Sequence, residues 1–131
     1  MTNLEKVFDD ETEIIESYLE RGKNRIIFEK YSDAIEDLIK VIEFLPDDEI
    51  YFDKLFMAYY SRGFAYKKLK KYVEAMQDFE KALDFNSNSS EAWDNLGICL
   101  QKLFGADDAA WAFDLANAIK NGYTFRNYFG R

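Results

Sequence analysis

The chain has 131 residues, 48% of them apolar, with one proline, six glycines and no histidine. That length fits a single domain with its own core, and the shortage of proline and glycine excludes a disordered or β-rich chain. Seventeen basic against twenty-five acidic residues leave a net charge of −8, which repels phosphate backbones and anionic membrane surfaces and argues against nucleic acid or membrane as a partner.

In chain order, Thr2 and Glu5 fit a capping box, and Leu4, Val7, Phe8, Ile14, Ile15, Tyr18 and Leu19 follow helical spacing, so a first helix is expected over about 3–28. Its partner is expected near 31–44, ending before Pro46, because the residue preceding a proline disfavours helix. Asp47 or Asp48 then caps a long helix over about 48–69. Tyr51, Phe52, Leu55 and Phe56 lie in its first part, where they form a satellite core against residues 3–14 or, alternatively, a partner-binding ridge. Further helices are expected over 72–84, 90–103 and 106–119, with Ser89 or Ser90 capping the second of these. The tail from Asn121 carries Tyr123, Phe125, Tyr128 and Phe129, which are costly to leave in water. Folding back over the last helix is expected; docking onto a second copy, giving a homodimer through the tail or the helix extensions, is the alternative.

Five columns recur along the chain. An aromatic residue (Tyr18, Tyr59, Trp93) stands four before a glycine (Gly22, Gly63, Gly97), and an alanine (Ala34, Ala75, Ala109) stands twelve after it. A large apolar residue (Leu38, Phe79, Phe113) follows at sixteen and a small or β-branched one (Val41, Ala82, Ala116) at nineteen. The second and third glycines are 34 residues apart, the first and second 41, so the extra seven add about two helical turns without changing the buried face. Glycine inside a helix costs about 0.5–1 kcal/mol against alanine, so three at matched positions imply close helix packing, with the alanine column expected on the other side of the contact.

These columns resemble the tetratricopeptide repeat family, whose units are helix pairs of 34 residues. The departures are Arg21 and Arg62 in place of leucine, Arg25 and Ala106 in place of tyrosine, and Ser87 and Asn121 in place of proline. The resemblance implies an all-α fold, an α-solenoid of three antiparallel helix pairs with extended first helices and an aromatic tail. The units fall at about 15–48, 56–89 and 90–123, with an N-terminal extension over 2–14, an insertion over 49–55 and a capping tail over 124–131.

In proteins of that family the ligand lies along the concave face made by the first helix of each unit. Carried over, the resemblance implies a partner-binding face of Leu19, Lys23, Ile26, Met57, Tyr60, Phe64, Lys67, Asp94, Asn95, Ile98 and Gln101. Apolar residues there suit the anchors of a peptide or helix from a partner protein, and the flanking charges select its orientation. If so, replacing Tyr60 and Phe64 by alanine weakens binding while stability changes little; the competing reading makes both rings core. Relatives that clamp the C-terminal carboxylates of heat-shock proteins use lysine, asparagine and arginine where this chain has Leu19, Lys23, Ser61, Glu91 and Asn95, so that activity is not expected. A small acidic secretion chaperone for an aggregation-prone client is the runner-up.

No enzyme chemistry is expected, and no cofactor or metal. Without histidine the usual acid–base and nucleophilic constellations are missing, and no phosphate-cradling loop or paired-cysteine site appears. Asp9–Asp10, Asp47–Asp48 and Asp107–Asp108 are the only support for a carboxylate hydrolase or transferase, and capping explains the latter two pairs. Lone Cys99, beside Ile98 and Leu100, reads as a buried apolar residue. With no basic leader and no apolar run near the roughly 18–20 residues of a membrane span, a cytoplasmic location is expected.

Overall fold

The apolar periodicity of the chain folds into seven α-helices, seen in a computed structural model that describes residues 3–130, with side chains described from Glu11. They are α1 (Asn3–Ile27), α2 (Tyr31–Phe44), α3 (Phe52–Lys68), α4 (Tyr72–Phe85), α5 (Ser90–Phe104), α6 (Ala106–Lys120) and α7 (Phe125–Phe129). No strand occurs among the described residues. The pairs α1–α2, α3–α4 and α5–α6 make the most extensive contacts, α2–α3 and α4–α5 join them in series, and the result is an α-solenoid. The expected capping box at Thr2 and the side chains of Leu4, Val7, Phe8, Asp9 and Asp10 lie outside the described residues.

Turn chemistry explains the helix ends. Glu29 and Lys70 hold left-handed φ values of 62° and 61°, and each lies seven residues past its unit's glycine. There Lys30 N–H donates to the Arg25 carbonyl (2.7 Å) and Lys71 N–H to that of Tyr66 (2.9 Å), closing the same helix end twice. The third hairpin turns on Gly105, with φ 108°. Leu45 is extended ahead of Pro46. Ser89 caps α5 by accepting from Ala92 N–H at 3.2 Å.

One helix starts later than expected. Asp48 accepts from Ile50 N–H at 3.1 Å, and this cap holds Glu49–Tyr51 in a 3₁₀ turn, so α3 begins only at Phe52. The insertion is nevertheless core. Leu55 is buried with Val41, Leu45 and Ala58, and Tyr51 and Phe52 pack on them together with Ile15, Tyr18 and Leu19. Phe56 joins a second, larger core around Phe79, Trp93, Leu96 and Leu115.

The glycine column does its expected work against a different partner. A methyl group on Gly22 would lie 3.0 Å from Leu38, on Gly63 3.1 Å from Phe79 and on Gly97 2.7 Å from the Phe113 ring. The facing residue in each pair is therefore the large apolar one sixteen positions later. The alanines Ala34, Ala75 and Ala109 are fully buried but are not the nearest neighbours of the glycines.

Three departures from the repeat pattern, Arg21, Arg25 and Arg62, pair with buried carboxylates. Arg62 donates from Nε (2.8 Å) and Nη2 (2.7 Å) to Asp78, and its guanidinium lies over the Tyr59 and Tyr66 rings. Arg21 makes the same fork onto Asp37, at 3.0 and 2.6 Å, and Arg25 adds a third bond at 2.8 Å. Asp37 and Asp78 are almost fully buried, so these arginines supply the compensation that a buried carboxylate requires.

The tail folds back, though not simply over α6. Phe125 N–H donates to Asn88 Oδ1 (2.7 Å), and its ring lies parallel to that of Trp93 with centroids 5.8 Å apart. This latches the tail to the α4–α5 connection. Tyr123 and Phe129 remain exposed.

Candidate peptide-binding groove

Three of the expected groove residues of the second and third units, Tyr60, Lys67 and Asn95, meet across α3 and α5. Asn95, itself buried, sits at their junction. Its Nδ2 donates to the Tyr60 hydroxyl oxygen (3.1 Å) and to the Glu91 carbonyl (2.9 Å), while its Oδ1 accepts from Lys67 Nζ at 2.5 Å. The amide is thus used at both ends, and it positions two donors that remain. Tyr60 still has its own O–H to give, and Lys67 has further N–H bonds with no carboxylate ion pair among the described residues. Lys67 and Lys68 both lie over the Phe64 ring, at 4.8 and 5.4 Å.

Burial alters both donors. It holds the Lys67 ammonium below the ordinary lysine range, with the like charge of Lys68 acting the same way. It raises the Tyr60 hydroxyl above the ordinary tyrosine range, with Glu91 adding to the effect. The Tyr60 hydroxyl therefore keeps its proton at neutral pH and acts as a donor.

Tyr60 and Phe64 are partly buried and pack on the second core. The Tyr60 ring meets Phe79 edge-on at 5.7 Å and stacks on Phe56 at 5.7 Å. Replacing both rings by alanine consequently costs packing, and the expectation that stability is left alone gives way to these contacts. Met57 and Ile98 are partly buried and Gln101 is exposed. Asp94 is not a free rim charge, because Lys120 of α6 pairs with it. In the first unit Leu19 packs on the first core, Lys23 pairs with Glu20 at 3.9 Å, and Ile26 is partly buried. The polar chain from Lys67 through Asn95 to Tyr60 unites three expected residues in one network that the helical columns alone do not reveal. Its only trace in the sequence is an amide and a lysine on the inward columns of consecutive first helices.

Known proteins place this architecture. The family model for the tetratricopeptide repeat matches residues 56–89. The chain is 38% identical over 66 residues to the protein SGT1 homolog of Bos taurus, covering 50% of this chain and 18% of that relative. The crystal structure of MamA superposes with a TM-score of 0.73 at 25% identity, over 91% of this chain and 66% of the MamA chain. A structure described as the second TPR of Spaghetti (RPAP3) bound to the HSP90 peptide SRMEEVD superposes with a TM-score of 0.71 at 23% identity, over 84% of this chain and 95% of the other. The chain therefore spans under a fifth of its bovine relative and about two thirds of MamA. Among the described residues no helix is long and apolar enough to cross a membrane.

Proposed function

We infer from the repeat matched over residues 56–89 that the chain is a tetratricopeptide-repeat protein, and from that premise propose that it is a cytoplasmic adaptor which holds a segment of a partner protein in the groove along α3 and α5. The observation that carries this reading is the Lys67–Asn95–Tyr60 network, which aims spare N–H and O–H donors from a surface that also presents Met57, Phe64 and Ile98. Donors of this kind suit the carbonyls of an incoming backbone, and the apolar side chains suit its anchors. Binding rather than catalysis is the role, with no cofactor required. The lone buried thiol Cys99 fits a reducing compartment.

The RPAP3 domain holds an acidic HSP90 peptide. The segment suited to this chain differs, because Glu91 stands beside Tyr60 where a carboxylate clamp calls for a cation. An apolar segment with one acidic group near Lys67 and Lys68 fits the charges better. The net charge of −8 supports a protein partner over nucleic acid or an anionic membrane.

The test is affinity capture from native lysate with mass spectrometry, comparing the chain with its Lys67→Glu variant and checking both by circular dichroism and light scattering. Proteins retained by the first and lost by the second support the groove. An identical set for both, or a self-associated species in which the groove is covered, sinks it.

A further inference from the structure

A cavity of about 460 Å³ lies between α4, α5, α6 and α7, walled by the rings of Trp93, Trp111 and Phe125 and flanked by the carboxylates of Glu80 and Asp84. At about 3.6 residues per turn, the α5 residues that line it (Trp93, Leu96, Leu100) point away from Asp94, Asn95 and Ile98, so it is separate from the groove. Three observations define its chemistry. The Trp93 and Trp111 rings stand edge to face at 5.7 Å, while Trp93 and Phe125 are parallel at 5.8 Å. Trp93 is fixed by its Nε1–H, which donates to the Ser87 carbonyl at 2.8 Å, whereas Trp111 is 48% exposed. Glu80 and Asp84, one turn apart on α4, are exposed and have no ion pair among the described residues; neighbouring Lys81 is turned onto the Phe85 ring.

We propose that this cavity receives a lysine or arginine side chain from a basic segment of a second protein partner. Aromatic faces carry negative quadrupole density and attract a cation, and the two carboxylates add full charges of the same sign. An apolar anchor would use the rings but leave both carboxylates beside a desolvated surface with nothing to hold. The overall acidity of the chain steers a basic segment inward. The tail supplies one wall through Phe125, itself held by Asn88, so the site exists only once the tail is docked. With the groove on the other side of α5, the chain joins two partners at once.

Nuclear magnetic resonance tests this directly, because the chain has two tryptophans and hence two indole N–H signals. An acetylated Gly-Lys-Arg-Lys-Gly peptide is titrated against the same peptide with norleucine in place of its cations. The expected result is a saturable shift of the Trp111 indole signal with the basic peptide alone, weakened by added salt. Glu80→Gln with Asp84→Asn should weaken that binding roughly tenfold, and Trp111→Ala roughly fivefold as read from the Trp93 signal. Both variants alter exposed groups, and circular dichroism verifies their fold. Lys67→Glu should leave the titration unchanged, which separates this site from the groove. Equal shifts with the norleucine peptide, no shift up to millimolar peptide, or no effect of the carboxylate variant overturns the proposal. Choline binding as well as the basic peptide also overturns it, by making the site one for a small quaternary ammonium.

Discussion

The first two helix pairs and the third close the same internal position with different chemistry. Before the glycine and fifteen residues after it, the first two units carry arginine and aspartate, Arg21 with Asp37 and Arg62 with Asp78, joined by forked hydrogen bonds of 2.6–3.0 Å. The third carries Leu96 and Ala112, both buried. An arginine that looks like a fault in the repeat pattern is thus half of a matched exchange, and its other half lies sixteen residues away on the next helix. The two charged versions are also unequal. The Arg62 side chain is 20% exposed and that of Arg21 54%, while Asp37 gains Arg25 as a second partner.

The sharpest way to break this comparison is to charge the third unit. Ala112→Asp alone should cost about 3–5 kcal/mol in urea unfolding, because it buries a carboxylate without a partner. Adding Leu96→Arg should recover much of that loss, since the same two positions hold a forked pair twice elsewhere. A double variant no more stable than the single one would show that the units are not equivalent there.

The converse exchange should have a somewhat smaller effect. Asp78→Ala strands the enclosed Arg62 and should cost about 2–4 kcal/mol, whereas Arg62→Leu with Asp78→Ala, which copies the third unit, should lie within about 1 kcal/mol of the parent. Asp37→Ala should cost less than Asp78→Ala, because the exposed Arg21 regains water.

The smallest effect concerns the apolar interior of the third unit at high pH. Burial pushes the Cys99 thiol up to about 11 from an ordinary 9.0, so between those values the folded chain keeps a proton that the unfolded chain has lost. This stabilisation is fully present below the unfolded pKa and is lost as pH rises through about 11, a change on the order of 2–3 kcal/mol. Lys67, held low, acts in the opposite sense on the alkaline side, so the thiol is isolated by comparing the parent with Cys99→Ala. Parallel stability curves for the two between pH 8 and 11 would refute the assignment.

Much of the backbone was legible from the residues. The helices expected over 31–44, 72–84, 90–103 and 106–119 appear as Tyr31–Phe44, Tyr72–Phe85, Ser90–Phe104 and Ala106–Lys120. Their signals are local: apolar periodicity, Pro46, and the serine before α5. The start of α3 falls later than the apolar spacing implies because the Asp48 cap, a single side-chain hydrogen bond, competes with helix propensity over three residues. Within the groove the residue types were legible and their partners were not. Nothing near Asp94 announces Lys120, and nothing near Asn95 announces Lys67 and Tyr60, which lie 28 and 35 residues earlier.

By itself the sequence determined the first six helices, their order and the close packing at Gly22, Gly63 and Gly97, though not the partners in that packing, because propensity and spacing act within a few turns. Only the tertiary structure decided that Arg62 belongs to Asp78, that Asn95 ties Lys67 to Tyr60, and that Phe125 comes to rest on Trp93. Those pairings depend on the rotation and separation of whole helices, and an error of about one ångström or a fraction of a turn is enough to exchange one hydrogen-bond partner for another.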